Sequence, residues 1–178
     1  EDSKFCDATA PIPVDWVAKY SPLISSEGLV LDLACGKGRI TRFLLAEGFS
    51  VVALDKDVSG LGDISSTQNL EIVQADLETG TTFPLQGRRF SGIVVVNYLH
   101  RPLFTALTDA LGKGGVLIYQ TFMQGNEAYG RPSNPDFLLI ENELENAFGK
   151  DLDVIAFEQG FTEYPKPAMI QKICAVKR

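Results

Sequence analysis

The sequence has few of the features that mark secreted, metal-binding or nucleic-acid-binding proteins. Its three cysteines, Cys6, Cys35 and Cys174, are an odd number at wide spacing, which fits neither a disulfide framework nor a zinc site. Basic residues are the minority charge, 16 against 23 acidic residues, so the net charge is −7. This balance argues against broad contact with nucleic acid or acidic lipid. We therefore expect no metal site and no nucleic-acid partner, and the cysteine usage predicts a reducing, cytoplasmic location.

Long apolar runs are also missing. No segment approaches the ~20 residues that a membrane-spanning helix requires, and the first residues, EDSKFCDATAPIP, lack the basic head and apolar stretch of an export signal. We expect no membrane association. The 178 residues, 45% of them hydrophobic, are enough for one domain with its own core. We expect a single domain over residues 1–178, with residues 1–27 as an N-terminal helix and lid and residues 28–178 as the ligand-binding core.

Short apolar runs alternate with segments of helical periodicity, which is the pattern of an α/β protein. Several runs are nearly continuous in apolar residues, as strands buried on both faces are. These predicted strands are 29–33, 50–54, 70–74, 91–96 and 116–122. The pattern predicts a parallel sheet between layers of helices.

The expected helices have recognisable ends. One spans 39–47 before Gly48, the next runs from Pro102 to Gly112, and the last spans 143–148 with Asn142 and Glu145 as its capping pair. A short helix at 13–24 is expected over the ligand edge of the sheet, and the segment after the third strand, with its glycines and proline, is expected to be an irregular crossover.

The end of the chain narrows the fold. The last two apolar runs, 152–160 and 168–178, are joined only by FTEYPKP. A parallel crossover needs a dozen or more residues, so these two strands must pair antiparallel. The predicted fold class is therefore α/β, with a single doubly wound, mostly parallel seven-stranded sheet and an antiparallel C-terminal strand in a β-hairpin.

A turn with two glycines follows the first strand, in VLDLACGKGR at 30–39. Gly36 and Gly38 allow the backbone to approach a ligand closely, and the next helix offers unpaired amide groups. A dinucleotide fingerprint needs a third glycine at the position of Thr41. The glycines alone therefore do not identify the ligand.

Aspartates end each of the first three predicted strands. Asp32 would repel a pyrophosphate and attract an ammonium or sulfonium group. Asp55, 19 residues after Gly36, is placed to accept hydrogen bonds from ribose hydroxyls. Asp76 can accept from an exocyclic amine, with Leu77 against the ring face. Together these positions predict a ligand with a cationic end, a ribose and an aminated base.

Five segments resemble, in order and spacing, the motifs of class I S-adenosylmethionine-dependent methyltransferases: VLDLACGKGR, VVALDKD, QADLE, FSGIVVVNYLHRPLF and LGKGGVLIYQTF. The resemblance extends from about Gly28 to the C-terminal hairpin. Within the family, NYLHRPLF, YQTFMQGN and NPDFLL resemble a small bacterial subgroup related to tellurite-resistance and thiopurine methyltransferases. The resemblance implies a Rossmann-like methyltransferase fold, with S-adenosylmethionine as methyl donor and S-adenosylhomocysteine as product.

The resemblance also implies which residues hold the donor. In chain order they are Asp32, Ala34, Gly36, Gly38, Asp55, Lys56, Asp76, Leu77, Asn97 and Tyr98. The first four would cradle the methionine portion. Asp55 would hold the ribose, and Lys56 would flank the adenine. Asp76 and Leu77 would bind the edge and face of the adenine, and the last two residues would line the wall beside the sulfonium. The segment after the fourth strand lacks the two consecutive prolines typical of enzymes that methylate exocyclic amines of bases or glutamine side chains.

Methyl transfer from a sulfonium is an in-line displacement, so alignment in a water-poor pocket can supply most of the acceleration without a metal. His100, the only histidine, follows the fourth strand on the ligand side and is the candidate catalytic base. The alternative is that it caps the helix after Pro102 or packs under the lid. Asn126, Tyr129 and Arg131 are candidate lid residues, or else part of a solvated connection.

The expected function is transfer of a methyl group from S-adenosylmethionine to a small-molecule acceptor of undefined identity. A non-catalytic S-adenosylmethionine-binding module or partner subunit is the alternative, because the chain is short and has no obvious substrate domain. An NAD-dependent oxidoreductase would account for Gly36, Gly38 and Asp55. It would leave Asp32 and the final hairpin unexplained, and the oligomeric state stays open.

Overall fold

The structure, a computed structural model, describes residues 14–80 and 82–178. The core of this part of the chain is a single β-sheet. It has seven strands in the order β3-β2-β1-β4-β5-β7-β6. Their bounds are β1 Leu29–Leu33, β2 Ser50–Asp55, β3 Leu70–Gln74, β4 Phe90–Val96, β5 Leu111–Phe122, β6 Leu152–Thr162 and β7 Ala168–Lys177. The predicted strands are confirmed, except that β5 begins at Leu111 rather than Val116.

The strand directions agree with the prediction that the short link between the last two strands requires antiparallel pairing. β1 to β5 pair in parallel, whereas β7 pairs antiparallel with both β5 and β6. The reversed strand lies inside the sheet, between β5 and β6. The α/β fold class with one reversed C-terminal strand is therefore confirmed.

Helices cover both faces of the sheet, and their bounds are α1 Asp15–Tyr20, α2 Arg39–Ala46, α3 Phe104–Ala110 and α4 Glu143–Phe148. The helices α1 and α2 pack in one apolar cluster, and α3 and α4 pack in another on the opposite face. Neighbouring residues of β4 divide between the two, with Val94 in the first cluster and Ile93 in the second. Successive strand side chains point to opposite faces, which is why the buried strands are continuously apolar.

The N-terminal helix lies on a face of the sheet rather than over its ligand edge. The indole Nε1 of Trp16 donates a hydrogen bond of 3.0 Å to the Ile173 carbonyl of β7. Further along, Ile24 packs directly against Gly92 of β4. From residue 14 onward, the segment expected to form a lid therefore packs on a face of the sheet. Residues 1–13 of the expected lid lie outside the described part of the chain.

The capping of α4 differs from the prediction. Asn142 makes no side-chain cap and has φ of 62°. The buried side chain of Gln171 on β7 accepts from the Leu144 amide at 2.7 Å instead. The Asn142 side chain accepts from Gln159 on β6. A cap supplied from 27 residues away has no local sequence signature.

The crossover between β3 and β4 contains no helix among residues 75–80 and 82–89, as predicted. Its side chains Leu77, Phe83 and Leu85 pack into the apolar cluster of α3. None of the helices in the described ranges has the length and apolar character needed to cross a membrane.

Candidate functional site

The turn after β1 lies at the carboxyl edge of the sheet and has an unusual backbone. Ala34, Gly36 and Gly38 have φ of 56°, 55° and 87°. A Cβ on Gly38 would collide with Leu61, whereas a Cβ on Gly36 would meet nothing within 4 Å. Gly38 is therefore required by packing, and Gly36 leaves open space at the edge where ligands bind in such sheets.

Asp55 at the end of β2 braces this turn. Its Oδ2 accepts from the Gly36 amide at 2.8 Å, and its Oδ1 accepts from the Asp57 amide at 3.0 Å. The side chain is half-buried and the neighbouring Lys56 is exposed. A carboxylate can accept about four hydrogen bonds, so Asp55 retains acceptor capacity for a ribose while it holds the turn.

Asp32 differs from the expected rim carboxylate, because it lies beneath the turn. It is 2% exposed, and its Oδ2 accepts a 2.6 Å hydrogen bond from the Thr41 hydroxyl of α2. Burial raises the pKa of Asp32 to about 7, although the bond from Thr41 opposes the rise. The carboxyl is therefore only partly charged at neutral pH, and its cation-attracting strength is lower than the sequence suggested.

Thr41 has a role at this site that the sequence motifs did not predict. It occupies the position where a dinucleotide fingerprint has its third glycine. The sequence feature that could have predicted this contact is a hydroxyl residue nine positions after an aspartate at the end of a strand.

Asp76 and Leu77 follow β3 and border a cavity of about 200 Å³. Asp76 is exposed, and its Oδ1 accepts from the Glu78 amide at 2.9 Å. The cavity lies between this segment and the beginning of α3. It is lined by Asp76, Leu77, Gly80, Thr82, Phe83, Pro84, His100, Pro102, Leu103 and Ala106. The structure thus brings Asp76 and Leu77 together with His100 around one space.

Asn97 and Tyr98 form the turn after β4. Asn97 has φ of 58° and its amide donates to the Gln120 carbonyl of β5 at 2.9 Å. The buried Tyr119 hydroxyl donates to the Tyr98 carbonyl at 2.7 Å. Burial and then the nearby Glu78 carboxylate raise the pKa of Tyr98 well above its ordinary value, so its hydroxyl stays protonated at neutral pH.

His100 points its ring at Glu78. Its Nδ1 lies 3.7 Å from Glu78 Oε1, a contact that is an ion pair only when the ring is protonated. The helix that follows is capped by the His100 carbonyl, which accepts from the Leu103 amide, and no cap comes from the ring. The helix-capping alternative for the side chain is therefore wrong.

The predicted lid residues have different positions. Asn126 is buried, where it donates to the Pro132 carbonyl and accepts from the Met169 amide, so it shapes the loop. Tyr129 is half exposed against the Phe161 ring, with centroids 5.2 Å apart. Arg131 is exposed in the same loop.

Arg101 anchors the segment before α4, a role that was not predicted from the sequence. Its guanidinium pairs with both oxygens of Glu143 at 2.6 and 2.9 Å and donates to the Leu138 carbonyl at 2.8 Å. In the described ranges no group of three histidine, cysteine, aspartate or glutamate side chains is arranged to hold a metal ion.

Comparison with known proteins extends this picture. Residues 30–115 match a family model described as a methyltransferase domain. A search of curated proteins gave no match. Among solved structures, TehB from Haemophilus influenzae has a TM-score of 0.74 at 20% identity, over 94% of this chain and 63% of that one. This chain therefore spans less than two thirds of the TehB chain.

Two further structures share the fold. The 1,6-didemethyltoxoflavin-N1-methyltransferase of Burkholderia thailandensis, with bound 1,6-didemethyltoxoflavin and S-adenosylhomocysteine, has a TM-score of 0.69 at 16% identity over 96% of this chain and 79% of that one. The [4+2]-cyclase SpnF has a TM-score of 0.70 at 11% identity, over 92% of this chain and 78% of that one. The TM-scores establish a common fold, and at such low sequence identity they show the fold alone.

The strand order, the reversed β7 and the glycine turn define the class I fold of S-adenosylmethionine-dependent methyltransferases. Within this fold, residues 30–115, just under half of the chain, match the methyltransferase domain model.

Proposed function

We propose that the protein transfers the methyl group of S-adenosylmethionine to a small-molecule acceptor. The observation that carries the proposal is the turn at Gly36, whose amide is held by Asp55 and whose Cβ position opens into free space at the carboxyl edge. This geometry leaves room for a ligand against the backbone, as a donor-binding turn requires. The methyltransferase domain model, which spans this turn, supports the same activity.

We infer the order in which the donor would contact the residues at this edge. Its amino-acid portion would lie along the backbone of Ala34 to Gly38 above Asp32, and its ribose hydroxyls would bond Asp55. Lys56 would flank the adenine, and Asp76 with Leu77 would bind the edge and face of the base. Asn97 and Tyr98, fixed on β5 through Gln120 and Tyr119, would line the wall beside the sulfonium.

The sulfonium donor supplies an activated methyl group, and the protein contributes alignment and exclusion of water. The bond from methyl to sulfur breaks as the bond from methyl to the acceptor forms, with the released electron pair remaining on sulfur. The protonated Tyr98 hydroxyl is hydrogen-bonded to the Glu78 side chain, which would orient the ring beside the acceptor. His100 is the candidate base, a role that requires its ring to reach the acceptor atom.

A small molecule is the proposed acceptor class, and the toxoflavin methyltransferase supports it because that protein with the same fold holds a small heterocycle. The resemblance to the tellurite-resistance and thiopurine subgroup favours a soft acceptor such as sulfur, selenium or tellurium. We also propose that the protein works in the cytoplasm without a nucleic-acid or membrane partner, on the basis of its cysteine usage and net charge of −7.

Thermal unfolding with candidate ligands tests the proposal. A ligand at 100 times its dissociation constant adds ~2.7 kcal/mol to the free energy of unfolding. S-adenosylhomocysteine should therefore raise the melting temperature, and NADH should leave it unchanged. Stabilisation by NADH alone, or by neither compound, would contradict the proposal.

A non-catalytic or differently catalytic donor-binding protein is the second candidate. SpnF, a cyclase of the same fold, favours it, since the fold does not by itself require methyl transfer. Labelled S-adenosylmethionine with a panel of thiols, amines and oxyanions of selenium or tellurium separates the two. Binding of S-adenosylhomocysteine without methyl transfer to any member of the panel would favour the second candidate.

A further inference from the structure

A short 3₁₀ segment after β2, Ser59–Ile64, packs against the glycine turn. Leu61 of this segment is fully buried, and a Cβ on Gly38 would collide with its side chain. Gly60 is also close to the turn, because a Cβ there would lie 3.0 Å from the Cα of Lys37. The segment therefore supports the turn at two successive positions of its backbone.

Arg42 of α2 holds this segment by its side chain. Its Nη1 and Nη2 donate to the two carboxylate oxygens of Asp63 at 2.7 and 2.8 Å, and Nη2 also donates to the Gly60 carbonyl at 3.1 Å. A guanidinium that meets a carboxylate with two nitrogens fixes direction as well as distance. The Arg42 amide donates to the Gly38 carbonyl at 2.8 Å. One residue therefore joins the turn to the segment that supports it.

The start of the segment is tied to the same turn by hydrogen bonds to two aspartates. Asp55 accepts from the amides of Gly36 and Asp57. Asp57 Oδ1 in turn accepts from the Ser59 amide at 3.0 Å. These bonds hold the beginning of the segment, and the bonds from Arg42 hold its end.

We propose that Arg42 and Asp63 are positioning residues for donor binding, which keep Leu61 against Gly38 and so hold the glycine turn in the geometry that accepts the donor. The inference rests on the proposed function. In this role neither residue contacts the donor. When the pair is broken, the turn samples other geometries, and the apparent affinity falls with the fraction of molecules that remain competent to bind.

Calorimetry of S-adenosylhomocysteine binding to the whole chain tests the inference. Arg42→Gln should weaken binding about fivefold, since an exposed ion pair changes an equilibrium by about that factor. Arg42→Lys keeps the charge without the planar fork and should retain part of the affinity. Asp63→Asn should weaken binding to a similar extent. The double variant should bind no more weakly than either single variant, because the two residues act through each other.

The pair between Arg88 and Glu71 is the matched control, because it is also exposed and also joins two nitrogens to two oxygens, at 2.7 and 3.0 Å. Arg88→Gln should lower the urea midpoint about as much as Arg42→Gln does and leave binding unchanged. Amide hydrogen exchange at Gly36 and Gly38 should accelerate in Arg42→Gln and stay at the wild-type rate in Arg88→Gln.

The outcomes separate this inference from the proposed function. Unchanged affinity in both Arg42→Gln and Asp63→Asn would overturn the inference and leave the proposed function standing. An equal loss of affinity in Arg88→Gln would also overturn it, because the loss would then follow from lower stability in general. If S-adenosylhomocysteine does not bind the wild-type chain, the proposed function fails, and the exchange rates of Gly36 and Gly38 still test whether the pair holds the turn.

Discussion

The hydroxyl of Thr41 donates a 2.6 Å hydrogen bond to the buried carboxyl of Asp32, and so joins the first turn of α2 to the end of β1. A glycine at position 41 would remove this hydroxyl donor from Asp32. The loss would be costly because a buried carboxyl that lacks a hydrogen-bond donor is destabilising. The pair explains why the turn departs from the dinucleotide fingerprint. It also means that the methionine portion of the donor would rest above a neutralisable carboxyl.

Removal of the Thr41 hydroxyl should destabilise the protein. Thr41→Val keeps the shape but removes the hydroxyl that donates to Asp32, so we expect a loss of about 1–3 kcal/mol in the free energy of unfolding. Urea unfolding at pH 8, where Asp32 is charged, measures the loss. Thr41→Ser retains the hydroxyl and is the control, and equal stability of Thr41→Val and the wild type would show that the bond contributes nothing.

Asp32 should also make stability fall as pH rises. Its pKa goes from 3.8 to about 7 on folding, so between these values the folded state holds a proton that the unfolded state has lost. The free energy of unfolding therefore decreases from about pH 4 to about pH 7 through this group, by ~1.4 kcal/mol for each unit of pKa difference. Urea unfolding of the wild type and Asp32→Asn between pH 4.5 and 8 measures it.

The comparison with Asp32→Asn is needed because other carboxyls act in the opposite sense. Pairing with arginines lowers the pKa values of Asp63 and Glu71, which favours folding at higher pH. The wild type should lose stability relative to Asp32→Asn as pH rises to 7. A constant difference between the two proteins would show that Asp32 does not titrate in this range.

Binding of S-adenosylhomocysteine should strengthen as pH rises through about 7. Above that pH Asp32 carries its full charge beneath the turn and attracts the ligand's ammonium group. Asp55 and Arg39 are the other charged groups that act on Asp32. Calorimetry at pH 6 and pH 8 should show a several-fold gain for the wild type and a much smaller one for Asp32→Asn. A flat wild-type profile would contradict this role.

The two glycines of the turn should respond differently to alanine. Gly36→Ala places a methyl group in open space, so we expect lost binding of S-adenosylhomocysteine with a stability cost of about 1 kcal/mol from the positive φ. Gly38→Ala drives a methyl group into Leu61 and should lower both stability and binding. Calorimetry with urea unfolding separates the two, and unchanged binding in Gly36→Ala would remove this turn from the site.

Arg101 should hold the segment before α4 in place. Arg101→Gln breaks the paired contacts to Glu143 and the bond to the Leu138 carbonyl, so amide hydrogen exchange between residues 138 and 143 should accelerate. Arg101→Lys keeps the charge without the planar fork and should give an intermediate rate. Arg88→Gln breaks a similar pair with Glu71 elsewhere and should leave these amides unchanged.

Much of the fold could be predicted because its signals are local. Apolar runs such as Ile93 to Val96 predict buried strands, since both faces of the sheet are covered. The short link before Ala168 excludes a parallel crossover. The α4 cap was missed because the Leu144 amide donates to the side chain of Gln171 on β7, and β5 was placed too late because Leu111 pairs with Phe90 across a register shift.

The sequence by itself determined the α/β class, the reversed strand and the presence of aspartates at three strand ends. These features follow from the spacing of apolar residues, the length of a loop and the residue types in a turn, all of which are properties of residues close together in the chain. Only the tertiary structure decided what each of these residues can do. Asp32 is buried beneath Thr41 and partly neutral, whereas Asp55 stays accessible and holds the turn. His100 lies 3.7 Å from Glu78 and lines a cavity together with Leu77. Desolvation and pairing depend on groups distant in the chain, so they arise only when the sheet and its crossovers are assembled.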